Sequence, residues 1–160
     1  MSLLYKSSKR CYLIDHHSPD PPAVTLENLD IAEYERFFDT ARIDSLMVYC
    51  KDHWGVTYFD SKVSGSRKHP GVKGDWIRQV RDLTEKKGIE FVAYYCIEYD
   101  EGAARRFPDW RVKKSDDTSL IRDDLYAKWS LYCYQTGYRE YSLSHLEEIV
   151  REYHPDALFL

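Results

Sequence analysis

Apolar runs rich in β-branched and aromatic residues alternate along this chain with segments of helical periodicity. That order constrains the fold more than any single residue does. The runs are Cys11 to Asp15 (CYLID), Leu46 to Cys50 (LMVYC), Ile89 to Ile97 (IEFVAYYCI) and Ala157 to Leu160 (ALFL). Between the first two, Leu26 to Ala41 sets Ile31, Tyr34, Phe37 and Phe38 at helical spacing. Asp75 to Lys87 is a second helical segment, with Asp75 suited to cap its start and Gly88 to stop it. Tyr138 to Tyr153 is a third, with Leu143, Leu146, Ile149 and Val150 on one face, and His154-Pro155-Asp156 ends it. The order β-α-β-α-β-α-β predicts an α/β fold with parallel strands, because a parallel connection needs a helical crossover.

The connections are asymmetric. Helix-to-strand links are about two to four residues, whereas the strand-to-helix links run to about 10, 24 and 40 residues. One edge of the sheet is trimmed and the other elaborated. In a (β/α)8 barrel the loops after the strands build the active site, while the opposite face serves stability. A flavodoxin-like sheet carries the same asymmetry. The segment after the first strand, DHHSPDPP, holds no glycine, which counts against a nucleotide-binding Rossmann unit. The third loop, Glu98 to Gly137, is too long for a bare connector and is expected to hold local structure and pack over the mouth of the sheet.

With 160 residues the chain is one domain or part of one, and 43% apolar residues suffice for a packed core. A formal charge of -4 without a basic stripe argues against a nucleic-acid partner. No apolar stretch reaches the roughly 18 residues that span a membrane, and the N-terminus lacks the charged-then-apolar pattern of a signal peptide. Cys11, Cys50, Cys96 and Cys133 show no CxxC spacing and read as reduced, buried small hydrophobes, which fits a cytoplasmic protein. The 14 Tyr, 6 Phe and 4 Trp offer flat apolar faces with polar tips. Such side chains suit sugar recognition and an ordinary core equally.

Polar residues cluster where the apolar runs end. The second run passes into Lys51-Asp52-His53-Trp54-Gly55, the first into Asp15-His16-His17, and the third carries Tyr94-Tyr95 followed by Glu98-Tyr99-Asp100-Glu101. Inside a core these groups are expensive. At one rim they make a polar pocket. A single strand-end histidine more often satisfies a backbone carbonyl, but three on two neighbouring strand ends point to a shared site. Zinc could be held by His16 or His17, His53 and a carboxylate. However, no H-x-H or H-E-x-x-H spacing occurs and Lys51 sits within the cluster, so no metal or other cofactor is expected. Asp60, Lys62, Arg67 and Lys68 read as solvated loop charge, Trp110 and Trp129 as packing anchors of the third loop, and His69, His145 and His154 as surface residues.

KDHWGVTYFDSKVS resembles the α-L-fucosidase segment that reads Lys-His-His-Asp-Gly-Phe, followed by an aromatic, a variable residue and Ser. Lys51, His53, Gly55, Phe59 and Ser61 match; Asp52 and Trp54 depart. DWIRQVRDLTEKKGIEFVAYYCIEY resembles that family's next unit, which ends in Tyr-Tyr-Ser and Glu-Trp. Here Tyr94 and Tyr95 match, and Glu98-Tyr99 arrives one residue early. YSLSHLEEIVREYHPDALFL resembles the helix before the family's fourth strand. The third loop and the YREY helix start are also similar to those of uncharacterised glycosidase-like barrels related to fucosidases and trimeric β-galactosidases.

The resemblance implies that residues 1–160 are the N-terminal half of a TIM-barrel catalytic domain. It implies a retaining glycosidase as the parent, with a nucleophile just past Leu160. It assigns His16, His17, Lys51, Asp52, His53, Trp54, Tyr94 and Tyr95 to a carbohydrate substrate, and leaves Glu98 as the one carboxylate here that could join the chemistry. A carbohydrate-binding barrel without catalysis and a metal-dependent TIM-barrel hydrolase are the alternatives. A half barrel leaves two strand edges open, so a homo-oligomer is expected. Cys50, Val92, Ala93 and Phe159 are expected in the core.

Overall fold

The computed structural model describes residues 8–16, 19, 24–116, 121–124 and 127–160, with the backbone alone at 121–124 and 127–129. The chain runs β1 (Cys11–Ile14), α1 (Ile31–Ala41), β2 (Ser45–Lys51), α2 (Trp76–Lys87), β3 (Glu90–Tyr95), α3 (Glu101–Arg106), a 3-10 turn (Pro108–Trp110), β4 (Ile121–Asp124), β5 (Ala127–Ser130), α4 (Tyr138–Tyr153) and β6 (Ala157–Phe159). Local chemistry sets most of these boundaries. Asp75 caps α2 by accepting from Arg78 N at 2.9 Å, and Gly88 closes it in the left-handed conformation at φ 66°. The first helix starts later than its apolar spacing predicts. Leu26 takes a left-handed φ of 62° in the preceding turn, and Asp30 provides the cap through Ala32 N.

Four strands form one parallel sheet in the order β1-β2-β3-β6. The third loop contributes α3, the 3-10 turn and a separate antiparallel β4–β5 hairpin. On one face of the sheet, Leu46, Val48, Cys50, Phe91 and Ala93 pack against Phe38 of α1, Trp76, Ile77, Val80 and Leu83 of α2, and Ile149 and Tyr153 of α4. Each large apolar side chain buried there contributes about 1.5–3 kcal/mol. The opposite face is concave and open, with Cys11, Leu13, Met47, Val92 and Phe159 around a cavity of about 380 Å³.

The open face and the ends of the sheet explain the departures from expectation. Cys50, Val92 and Ala93 are buried, but Phe159 is 49% exposed because it lies on β6, which ends the sheet and pairs with β3 alone among the described strands. Cys11 is exposed on β1, the strand at the other end, and Cys133 is only half-buried. His154 lies on the surface, whereas His69 and His145 are buried. His145 sits beneath the third loop, where its Nδ1 meets Tyr95 Oη at 3.3 Å. Trp110 does anchor that loop, stacked on Phe107 at 3.9 Å and packed against Tyr141. His17 and the side chain of Trp129 lie outside the described residues.

Candidate functional site

The β2 exit is a tight turn built around Asp52. Its Oδ1 accepts from Trp54 N at 3.0 Å and Val56 N at 3.2 Å, and its Oδ2 accepts from Tyr58 Oη at 3.3 Å. The carboxylate holds its own loop, as Asp commonly does. Burial raises the Asp52 carboxyl to about 6, against the pull of these donors and of Lys51. Gly55 completes the turn at φ 73°, and a Cβ there would lie 1.7 Å from Asp100 Oδ1.

Lys51 reaches toward the exit of β3. Its Nζ donates to Cys96 O at 2.8 Å and Tyr99 O at 3.4 Å and pairs with Asp100 Oδ2 at 3.1 Å, with both side chains at 0% exposure. Burial works against the ammonium's charge, but Asp100, with Tyr138 and Tyr95 beside it, raises Lys51 well above the ordinary lysine range. Asp100 also caps α3 through Ala103 N at 2.7 Å. The first N–H groups of α3 then donate to the rim turn, Glu101 N to His53 O at 3.3 Å and Gly102 N to Trp54 O at 2.9 Å. The third loop is thereby clamped onto the turn that carries His53 and Trp54. Sequence reading puts Lys51 and Asp52 at the sugar; the structure buries both completely and makes them the frame of the turn.

At the end of β1, His16 is buried, its ring parallel to Tyr58 at 5.5 Å and its Nε2 3.2 Å from Tyr34 Oη. Burial lowers its pKa to about 4, with Asp15 opposing, so the ring is neutral at pH 7. His53 is 4% exposed and Trp54 half-buried, their rings 5.1 Å apart. On β3 the neighbouring tyrosines part company. Tyr95 turns into the helix layer at 0% exposure, so it does not share a cleft with His53 as the sequence reading has it. Tyr94 turns to the concave face, stacked on Tyr49 at 4.2 Å. Glu98 lies exposed beyond the strand. Asp15, which the sequence reading places at the rim without a role of its own, accepts from Tyr49 Oη at 3.0 Å, and two residues that reading did not place there, Tyr49 and Phe159, line the same end of the sheet. Period-two alternation from Cys11 and Met47 was the available signal for them. Among the described residues no three His, Cys, Asp or Glu side chains gather as a metal-ligand set, and no helix is long and apolar enough to cross a membrane.

The profile of the family described as hypothetical glycosyl hydrolase 6 matches residues 30–160. The chain belongs to that family. No curated protein matches it. Among solved structures, α-L-fucosidase isoenzyme 2 from Paenibacillus thiaminolyticus superposes with a TM-score of 0.81 at 21% identity, covering 94% of this chain and 23% of the fucosidase. A hypothetical protein from Ruminiclostridium thermocellum ATCC 27405 gives a TM-score of 0.64 at 18% identity, over 80% of this chain and 66% of that one. The Thermotoga maritima α-fucosidase in complex with fucose gives 0.59 at 21% identity, over 84% of this chain and 29% of that one. At these identities the likeness establishes the fold. The four parallel strands of this member of the hypothetical glycosyl hydrolase 6 family match part of the TIM barrel of the fucosidases, and the chain spans about a quarter of those enzymes' length.

Proposed function

We propose that this member of the hypothetical glycosyl hydrolase 6 family binds a carbohydrate at the C-terminal rim of its parallel strands, as the sugar-holding half of a retaining glycosidase barrel. The observation that carries the reading is where the strands end. Asp15 and His16 after β1, His53 and Trp54 after β2, and Tyr94 near the end of β3 all lie at the edge where barrel enzymes keep their sites. On this reading His53, Trp54 and Tyr94 contact the sugar, His17 joins them, and Lys51, Asp52 and Asp100 hold the turn. A retaining mechanism needs two carboxyl groups about 5–5.5 Å apart. Glu98 alone cannot fill both roles, and the fucosidase resemblance puts the nucleophile one residue past Leu160. Residues 1–160 are taken as a single domain, with free cysteines suited to a reducing, cytoplasmic setting.

The test is a panel of nitrophenyl glycosides, α-L-fucoside included, given to residues 1–160 and to a polypeptide extended past Leu160. Turnover by the longer polypeptide alone, lost when an Asp following Leu160 is changed to Asn, is the expected result. Turnover by residues 1–160, abolished by Glu98→Gln, would overturn the assignment and move the chemistry to the β3 loop. Binding without any turnover in both would leave a sugar-binding barrel.

A further inference from the structure

Three side chains on the inner face of α4 each carry a buried polar atom that meets no hydrogen-bond partner among the described residues. They are Tyr138 Oη, Ser142 Oγ and His145 Nε2, on residues 0%, 2% and 0% exposed. Spacing of four and then three residues sets them on one face of the helix. That face looks onto the third loop and the end of β3. Tyr138 stacks on Tyr132 at 4.1 Å, and Tyr132 Oη donates to Asp100 O at 2.8 Å. His145 meets Tyr95 Oη through Nδ1 at 3.3 Å, which leaves its other ring nitrogen open. Ser142 Oγ lies beside the same tyrosine hydroxyl without completing a bond. A fourth open atom comes from the third loop. Asp100 Oδ2 has the Lys51 ammonium at 3.1 Å but no aligned donor. Lys51 Nζ is 4.7 Å from the centre of the Tyr95 ring, so the ion pair and the α4 row flank one tyrosine. Tyr138 and His145 both feel the charges of Lys51 and Asp100.

Open polar atoms in such a place are costly. A buried hydroxyl or ring nitrogen without a partner weakens folding by about five- to 150-fold. Three together would take about 10²- to 10⁶-fold from a folding constant that is typically about 10³ to 10⁸. Direct pairing does not remove the cost, because none of the four atoms is hydrogen-bonded to another. They can be joined only by something small that both donates and accepts. Lys51 and Asp100 neutralise each other, and burial keeps His145 uncharged at pH 7, so a neutral ligand fits better than an ion. Protein interiors hold on the order of one buried water per 27 residues, each with about three hydrogen bonds, so several are expected in a chain of 160 residues. Tyr138 and His145 are about 10 Å apart along the helix axis, too far for one water to serve both.

We propose that two ordered waters are bound in the interior between α4 and the third loop, one bridging Tyr138 Oη to Asp100 Oδ2 and one bridging Ser142 Oγ to His145 Nε2. The first accepts the Tyr138 hydroxyl proton in a hydrogen bond and donates to the carboxylate, so Asp100 Oδ2 is served by Lys51 on one side and by water on the other. The third loop, which clamps the turn carrying His53 and Trp54, is then seated on α4 through solvent. The site is structural and independent of any sugar at the rim.

A high-resolution crystal structure of residues 1–160 tests the proposal directly. Solvent density is expected within about 3.2 Å of both Tyr138 Oη and Asp100 Oδ2, and of both Ser142 Oγ and His145 Nε2. In solution, dipolar cross-peaks from water to the ring protons of Tyr138 and His145 are expected, with the sign of a long-lived bound water. Tyr138→Phe separates the two cases by the direction of its effect. It removes a hydroxyl that is bonded to water, so the unfolding equilibrium in urea should shift toward the unfolded chain by about fivefold. A hydroxyl buried without any partner would instead leave folding unchanged or strengthened when removed. Should Tyr138→Phe fail to fold, Ser142→Ala is read in the same way. Direct Tyr138–Asp100 and Ser142–His145 hydrogen bonds with no solvent between them, absence of the water cross-peaks, or a variant as stable as the wild type or more so would each overturn the proposal.

Discussion

Lys51 and Asp100 show how one buried pair can hold a strand-end turn in place. Removing one partner of a buried ion pair leaves the other charge unpaired at a cost of about 3–5 kcal/mol, whereas replacing both with apolar groups is often close to neutral. Lys51→Met is therefore expected to destabilise the chain by about that amount in urea unfolding, and Lys51→Met with Asp100→Leu to recover much of it. Recovery is limited by Ala103 N, which loses its cap. The buried histidines make a second prediction at this scale. His16 and His145 are each lowered from 6.5 to about 4 by burial. Their depressed values mean the unfolded chain takes the protons first. Stability is complete above about pH 6.5 and is lost as pH falls toward 4, by on the order of 3 kcal/mol for each histidine. Asp52, raised from 3.8 to about 6, acts in the opposite sense over much of the same window, because the folded state binds its proton more tightly. Two losses against one gain predict a net fall in the urea midpoint between pH 6.5 and 4, and His16→Asn should flatten it. A midpoint that rises on acidification would contradict the burial of these rings.

Helix caps in this chain do more than close a helix. Asp75 Oδ1 caps α2 at Arg78 N, and its Oδ2 accepts from Tyr153 Oη of α4 at 3.0 Å. Asp75→Ala should therefore cost more than the roughly 1 kcal/mol of an isolated cap, about 2 kcal/mol in all, with Tyr153→Phe removing part of the difference. Equal losses for Asp75→Ala in the wild-type and Tyr153→Phe backgrounds would show the two bonds to be independent. The cap at Asp75 and the stop at Gly88 were legible in sequence because both act within four residues. The cap at Asp100 was not, since its meaning depends on Lys51 and Gly55, about fifty residues away, arriving at the same spot.

The whole molecule exposes the face that a barrel encloses. Leu13, Phe159 and Leu160 are open on or beside the concave side, Leu143 and Val150 are open along α4, and β1 and β6 each pair along one edge among the described strands. Open parallel edges beside apolar surface invite pairing with another chain. Residues 1–160 alone are expected to self-associate, with an apparent mass in light scattering that rises with concentration, while a longer polypeptide completing the barrel stays monodisperse. Leu13→Glu with Phe159→Glu should reduce the association. A strictly monomeric 160-residue chain at high concentration would show that this face is covered in some other way.

The sequence by itself determined the order of elements, the parallel sheet, the trimmed and elaborated edges, and the rim as the place where polar residues collect. Those features follow from periodicity, caps and link lengths, all of which act over a few residues. Only the tertiary structure decided which rim residues are buried in the frame and which line the open face. Tyr94 and Tyr95 look alike in sequence, yet one lines the concave face and the other meets His145 of α4. Lys51 reads as a rim cation until Asp100 is brought against it, and Asp15 reads as one rim polar group among several until Tyr49 meets it across the sheet. Burial and pairing of polar groups depend on what arrives from distant parts of the chain, and no local pattern carries that information.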